Sequence, residues 1–144
     1  MRNEETKYQY GLINDEYLGS VINLLKERIT FLKDVFTFGD YMFQKPQVFE
    51  KDYAEKFWNP STKELINPLL DNYNSILESN WNHDSIQLAT KNFVAEKSLS
   101  MKNIINPLRL MLTGKSVGAS MFDTMAILGK TECIERLNLF VENN

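Results

Sequence analysis

A chain of 144 residues, 43% hydrophobic and with a formal net charge of -3, can bury one compact core or two adjoining ones and is too apolar to stay unfolded. Its apolar runs are only a few residues long, which excludes a membrane-spanning helix, and the opening MRNEETKYQYG lacks the apolar centre of a signal peptide. The single cysteine, Cys133, excludes an internal disulfide and a cysteine-cluster metal site. It fits a reducing compartment, with the cytoplasm as the default and an organelle matrix as the variant.

Helical periodicity dominates and strand alternation is almost absent, so the expected fold is all-α. The expectation is a bundle of about six to eight helices in two adjacent subdomains, residues 1–58 and 59–144. From Asn14 or Asp15 as N-cap, Leu18, Val21, Ile22 and Leu25 follow the i, i+3, i+4, i+7 spacing of one buried face. Thr30 can cap a second helix carrying Leu32, Val35 and Phe36, which places Arg28, in KERIT, at a junction between helices.

The stretch GDYMFQKPQVFEKDYAEKFWNP mixes Gly, Pro and aromatic residues without a long period and reads as a connection with a short helix near Asp52 to Trp58. Ser61 with Glu64 forms a capping-box pattern ahead of a long helix through Leu65, Leu69, Tyr73, Ile76 and Leu77, interrupted by Pro68. Asp84 with Gln87 repeats that pattern before a helix to about Lys97. A helix from about Met101 to Thr113 stops at Gly114; Ser120 and Asp123 open the next, which Gly129 closes. Thr131 can cap a final helix through Ile134, Leu137 and Phe140, leaving the tail ENN frayed.

No catalytic constellation is evident. His83, the only histidine, lies in the polar NWNHDS turn and reads as a surface residue or cap neighbour. Cys133 has no histidine to activate it and reads as a buried structural thiol. The string GKS at residues 114–116 follows a helix and lacks the upstream glycine of a phosphate loop. No metal site is expected.

Charge is unevenly distributed. Residues 1–96 hold ten Lys or Arg against fifteen Asp or Glu, whereas residues 97–122 hold Lys97, Lys102, Arg109 and Lys115 and no acid. Such an island is a solvated face or a place for phosphates. Arg109 interrupts an apolar run, either snorkelling from an amphipathic helix or reaching a cleft. The small residues of VGAS sit beside a helix N-terminus, a turn composition that also lets a base or phosphate approach the backbone closely.

PLRLMLTG, the glycine-containing loop, MFDTMAILGK and IERL together closely resemble the C-terminal anticodon-binding region of bacterial-type glutamyl-tRNA synthetases. The similarity extends upstream through SMKNIINPLR and NDEYLGSVINLLKERITFLKDVFTFGDYMF, covering about Asn14 to Leu139; residues 41–96 match mainly in spacing and helical character. The resemblance implies part of a class I synthetase, an enzyme that activates glutamate with ATP and Mg and transfers it to the 3′ end of its tRNA. The chain carries neither the HIGH nor a KMSKS-like motif. It is therefore expected to lack the catalytic Rossmann portion of the polypeptide, to need no cofactor of its own and to be inactive alone.

The implied partners are tRNA-Glu and that catalytic domain, with a monomeric state, no membrane, and recognition of a YUC anticodon. By its match to the family motif, Arg28 is expected to read the third anticodon base, where a fork of donors suits the O2 and N3 acceptors of cytosine. Arg109 is expected at the first base, Gly118 and Ala119 around the middle uridine, and Met121 as an apolar shelf. Ala119 departs from the family's usual proline, and Met121 from its usual leucine. Lys97, Lys102 and Lys115 are candidate contacts to the tRNA backbone or solvated lysines. The rival class is a free-standing helical protein-interaction module of the same fold.

Overall fold

A computed structural model describes residues 15–30 and 34–144. They form eight α-helices, α1 Asp15–Leu25, α2 Asp34–Phe38, α3 Lys51–Phe57, α4 Pro60–Asn74, α5 His83–Glu96, α6 Lys102–Thr113, α7 Met121–Leu128 and α8 Lys130–Asn143, with 3-10 turns at Asp40–Met42 and Glu78–Asn80. Among the described residues there is no strand, so the fold is all-α as its periodicity predicts. None of these helices is long and apolar enough to cross a membrane.

Two hydrophobic clusters organise the molecule. The larger gathers Ile66, Leu69 and Tyr73 of α4, Ile86 and Phe93 of α5, Ile104, Leu108 and Met111 of α6, Met125 of α7 and Leu137 of α8. The smaller joins Val21 and Leu25 of α1 to Val35, Tyr41, Met42, Phe43 and, from far along the chain, Ala119. Phe49, Tyr53, Phe57 and Trp58 lie against the larger cluster, where Phe49 and Trp58 both meet the Phe140 ring edge-on. Two polar groups inside the larger cluster are paired. The Tyr73 hydroxyl and Thr90 Oγ1 are 2.7 Å apart, and the Trp81 indole donates to the Met125 carbonyl at 2.9 Å.

The helix ends show where local pattern misleads. The α4 cap is Asn59, whose side chain accepts from the Thr62 amide with Pro60 in the first turn, rather than Ser61. Likewise Asn82, accepting from the Ser85 amide, caps α5 in place of Asp84. An asparagine two residues ahead of the expected cap competes for the same orphan amides, and the capping-box pattern cannot rank the two. The α4 helix stops at Asn74, before Ile76 and Leu77, where the Lys130 ammonium takes hydrogen bonds to the Asn74 and Ile76 carbonyls.

The final helix starts at Lys130, one residue before Thr131, and runs to Asn143, so the ENN tail is helical almost to its end. Pro68 and Pro107 both sit inside helices, where each removes one donor. The carbonyls left without that donor belong to Glu64 and Asn103, both on exposed turns where water can serve them. Asn14 and Leu32 lie outside the described residues.

Gly114 is the hinge that aims the next loop. It closes α6 in the left-handed region at φ 73°, and its amide bonds to the Leu110 carbonyl. A Cβ there would lie 2.5 Å from the Val48 carbonyl oxygen, and the Gly114 carbonyl accepts from the Glu50 amide at 2.9 Å. The 46–50 segment is thereby held against the end of α6.

Candidate nucleic-acid interface

The loop between α6 and α7, residues 114–120, runs across the junction of the two clusters. Thr113 shapes its start: its hydroxyl donates to the Arg109 carbonyl at 2.7 Å and accepts from the Lys115 amide at 3.1 Å. Ser120 ends the loop as N-cap of α7: its hydroxyl accepts from the Asp123 amide at 3.5 Å, and its carbonyl accepts from the Thr124 hydroxyl at 2.8 Å. Between these anchors the Arg109 guanidinium crosses from α6 and donates through Nη1 to the Ala119 carbonyl at 3.1 Å. Arg109 is half-buried, and its side chain reaches across to the loop.

Gly118, the residue before Ala119, also lies beside the guanidinium. A Cβ added there would meet Arg109 Nη1 at 3.1 Å and the Tyr41 hydroxyl at 3.4 Å. Tyr41, from the 3-10 turn after α2, is 2% exposed. Burial raises its phenol above the ordinary tyrosine value, while the positive charges of Arg109 and then Arg28 pull it back down. Arg109 sits on α6, whereas Arg28 lies in the exposed turn after α1, where its amide bonds to the Leu25 carbonyl at 2.8 Å.

The remaining candidates are placed differently. The Lys115 ammonium is held by Asp40 Oδ1 at 2.8 Å and the Phe38 carbonyl at 3.1 Å, and stands 5.6 Å from the centroid of the Tyr41 ring. It ties the loop to the smaller cluster. Lys97, at the end of α5, and Lys102, at the start of α6 and about two helical turns from Arg109, are both exposed. Ala119 is 3% exposed and belongs to the smaller cluster, while its carbonyl accepts from Arg109.

Met121 does not offer the open shelf expected of it: at 3% exposure it packs into the larger cluster and supports the loop from beneath. The first turn of α7 points it inward because its side chain, with Phe122 and Met125, forms the buried stripe of that helix. The apolar surface that is open beside Gly118 is Val117, 64% exposed, which a helix-period reading has no means to single out because it lies in a loop.

Two further groups are structural. His83 heads α5 with Nδ1 2.6 Å from Asp123 Oδ1 of α7 and its ring edge-on to Phe122. Cys133 is fully buried, and burial pushes its thiol up to about 12. Among the described residues, no group of three or more His, Cys, Asp and Glu side chains converges to hold a metal ion.

One buried network escaped sequence reading. Arg136, 3% exposed on α8, donates to Glu132 Oε2 at 2.7 Å, to the Leu112 carbonyl at 2.8 Å and to the Gln44 carbonyl at 3.2 Å. Lys45 adds ion pairs to Glu132 and Glu135, both at 3.2 Å. Arg136 stands in the IERL stretch as one of two charges, and only the fold reveals that it faces inward to the end of α6.

Residues 4–141 match the family model described as an anticodon binding domain. The chain is 35% identical over 128 residues to a glutamate–tRNA ligase of Chlorobium phaeovibrioides, covering 88% of this chain and 24% of that protein. It is also 35% identical over 133 residues to the corresponding ligase of Chlorobaculum parvum, covering 91% and 26%. It superposes with a TM-score of 0.85 and 32% identity on the crystal structure of a glutamate tRNA ligase from Elizabethkingia meningosepticum, over 91% of this chain and 26% of that one. The chain thus spans about a quarter of the length of the relatives it matches. With an all-α fold, a loop presented beside Arg109 and a family match over nearly its whole length, it belongs to the anticodon-binding domain family, as the counterpart of the C-terminal part of glutamate–tRNA ligases.

Proposed function

We propose that this chain recognises the YUC anticodon of tRNA-Glu as the anticodon-binding part of a cytoplasmic, monomeric glutamyl-tRNA synthetase. Ligation of glutamate, with ATP and Mg, belongs on this reading to a catalytic domain of the same polypeptide outside the chain. The observation that supports it best is the hydrogen bond by which the Arg109 guanidinium reaches the Ala119 carbonyl, in a loop whose preceding residue is a glycine. A guanidinium fork beside a small-residue backbone suits an unstacked base, whose edge carries acceptors.

On this reading Arg28 takes the third base and Arg109 the first. Gly118 and the Ala119 backbone line the middle position, and Val117 supplies the open apolar contact that Met121 braces from below. Lys97 and Lys102 are free to meet phosphates, while Lys115 serves by holding the loop. A small pocket of this kind works on an acidic protein, since stacking contributes on the order of 1–3 kcal/mol per base without a basic surface.

The test is titration of anticodon stem-loops. Arg28→Gln should narrow the preference for UUC over UUG more than it weakens binding overall, and Arg109→Ala should weaken the matched stem-loop about tenfold or more. Unchanged binding in both variants would refute the reading, and equal loss on UUC and UUG would remove Arg28 as a base reader.

A further inference from the structure

Lys115 stands in the basic stretch as one more cation for phosphates, yet its surroundings give it a different task. An ammonium has three N–H groups. Those of Lys115 face Asp40 Oδ1 at 2.8 Å, the Phe38 carbonyl at 3.1 Å and the Thr37 carbonyl at 3.5 Å, which leaves none for the RNA backbone. The two carbonyls belong to the last turn of α2, whose acceptors have no partner within the helix. Lys115 therefore caps α2 from a distant part of the chain. The carboxylate that completes the clasp is itself fixed, since Asp40 Oδ1 also accepts from the Tyr41 amide at 2.9 Å. On the loop side, the Lys115 amide donates to the Thr113 hydroxyl at 3.1 Å, and that hydroxyl donates to the Arg109 carbonyl at 2.7 Å. Direct contacts thus run from the end of α2 through Lys115 and Thr113 to the residue whose guanidinium meets Ala119. The end of α2 is seated on α1 in turn: a Cβ at Gly39 would collide with the Leu25 side chain, in the last turn before Arg28.

We infer that Asp40 is a positioning residue for base recognition. Acting through Lys115, it fixes the loop of residues 114–120 on the smaller cluster, so that Arg109 meets the first anticodon base in a preset place relative to Arg28. With the loop already held, the contact between Arg109 and a base carries no cost of ordering the segment. Without the clasp that cost falls on binding, and it falls on the reader that leans on the loop rather than on Arg28. The inference rests on the anticodon-reading role proposed above and adds to it a carboxylate that needs no contact with RNA.

The experiment uses the full chain and anticodon stem-loops carrying UUC, AUC or UUG, which change the first or the third base singly. Asp40→Asn keeps the shape and removes the charge, and Lys115→Met removes the ammonium. Each is expected to lower affinity for UUC by about three- to tenfold and to narrow the preference for UUC over AUC, with the preference for UUC over UUG unchanged. The double variant should lose no more than Lys115→Met alone, and Arg109→Ala should cost less in the Asp40→Asn background than in the unaltered chain. The thermal midpoint should move little, because a partly exposed ion pair contributes little to stability. Lys115→Met should also leave the slope of log affinity against log salt as it was. A slope reduced by about one, with equal losses on all three stem-loops, would make Lys115 a phosphate contact and overturn the inference. Equal losses accompanied by a large fall in thermal midpoint would make the clasp merely structural and overturn it too. An unchanged preference for UUC over AUC in Asp40→Asn, where Arg109→Ala loses that preference, would overturn it and leave the anticodon role standing. Failure of the unaltered chain to prefer UUC would remove the anticodon role, and the assignment of Asp40 with it.

Discussion

Arg109 uses one hydrogen bond to hold its own loop and keeps the rest of its fork for whatever lies above Gly118. A lysine in its place retains the charge but loses the planar pair of donors. Arg109→Lys should therefore lower stem-loop affinity by about tenfold while leaving the salt dependence of binding nearly as it was, measured at two ionic strengths. Cys133 makes the opposite case, a reactive residue type rendered inert. With its thiol buried and pushed up to about 12, a thiol reagent at pH 8 should label the folded protein far more slowly than the protein in denaturant. Equal rates would show that the α8 face opens to solvent.

At the scale of elements, Gly114 and Arg136 hold the same helix end from two sides. Gly114 turns the chain at φ 73° against the Val48 carbonyl, and Arg136 donates to the Leu112 carbonyl, one of the orphan acceptors in the last turn of α6. Gly114→Ala meets both a left-handed backbone and a backbone clash, and should cost about 1–3 kcal/mol in denaturant unfolding. Arg136→Met removes the guanidinium from Glu132, Leu112 and Gln44 together. A loss of about 3 kcal/mol is expected. Because α6 carries Arg109, both variants should weaken stem-loop binding by way of the loop.

How far the sequence reveals these elements depends on what kind of interaction fixes each. The α1, α6, α7 and α8 helices follow from apolar spacing, and Gly114 and Gly129 mark helix ends by composition. The caps Asn59 and Asn82 were masked by rival polar residues two positions on, a choice settled by packing of the helix that follows. At the candidate site, Arg28, Arg109 and Gly118 were legible through the family motif. Tyr41 and Val117 were not, since one approaches through a distant turn and the other is an ordinary loop residue. Met121 was legible as apolar but not as buried, because the direction of a first-turn side chain depends on how the helix docks.

For the whole molecule, the cluster around α8 contributes to the acid limb of stability. Burial alone would raise the Glu132 carboxyl, but the hydrogen bond and charge of Arg136, then those of Lys45, outweigh it and hold the group below the ordinary glutamate value. The folded state therefore binds this proton less readily than the unfolded chain. The stabilisation is complete above the unfolded value of about 4.3 and is lost as pH falls through the depressed folded value. Glu132→Gln should lower stability at neutral pH and flatten the acid limb. A variant as steeply acid-sensitive as the unaltered chain would place the controlling carboxyl elsewhere.

The loop at Gly118 also determines how a bound ligand is felt. Ala119 is anchored in one cluster and Met121, two residues on, in the other, while Lys115 is moored to Asp40. The segment is a stitch through both halves of the protein, so a molecule that grips it holds the halves together. A stem-loop present at about one hundred times its dissociation constant adds about 2.7 kcal/mol to the folded state. That increment should appear as one sharper melting step shared by tryptophans of the larger cluster and tyrosines of the smaller, which makes a recognition loop act as a seam as well.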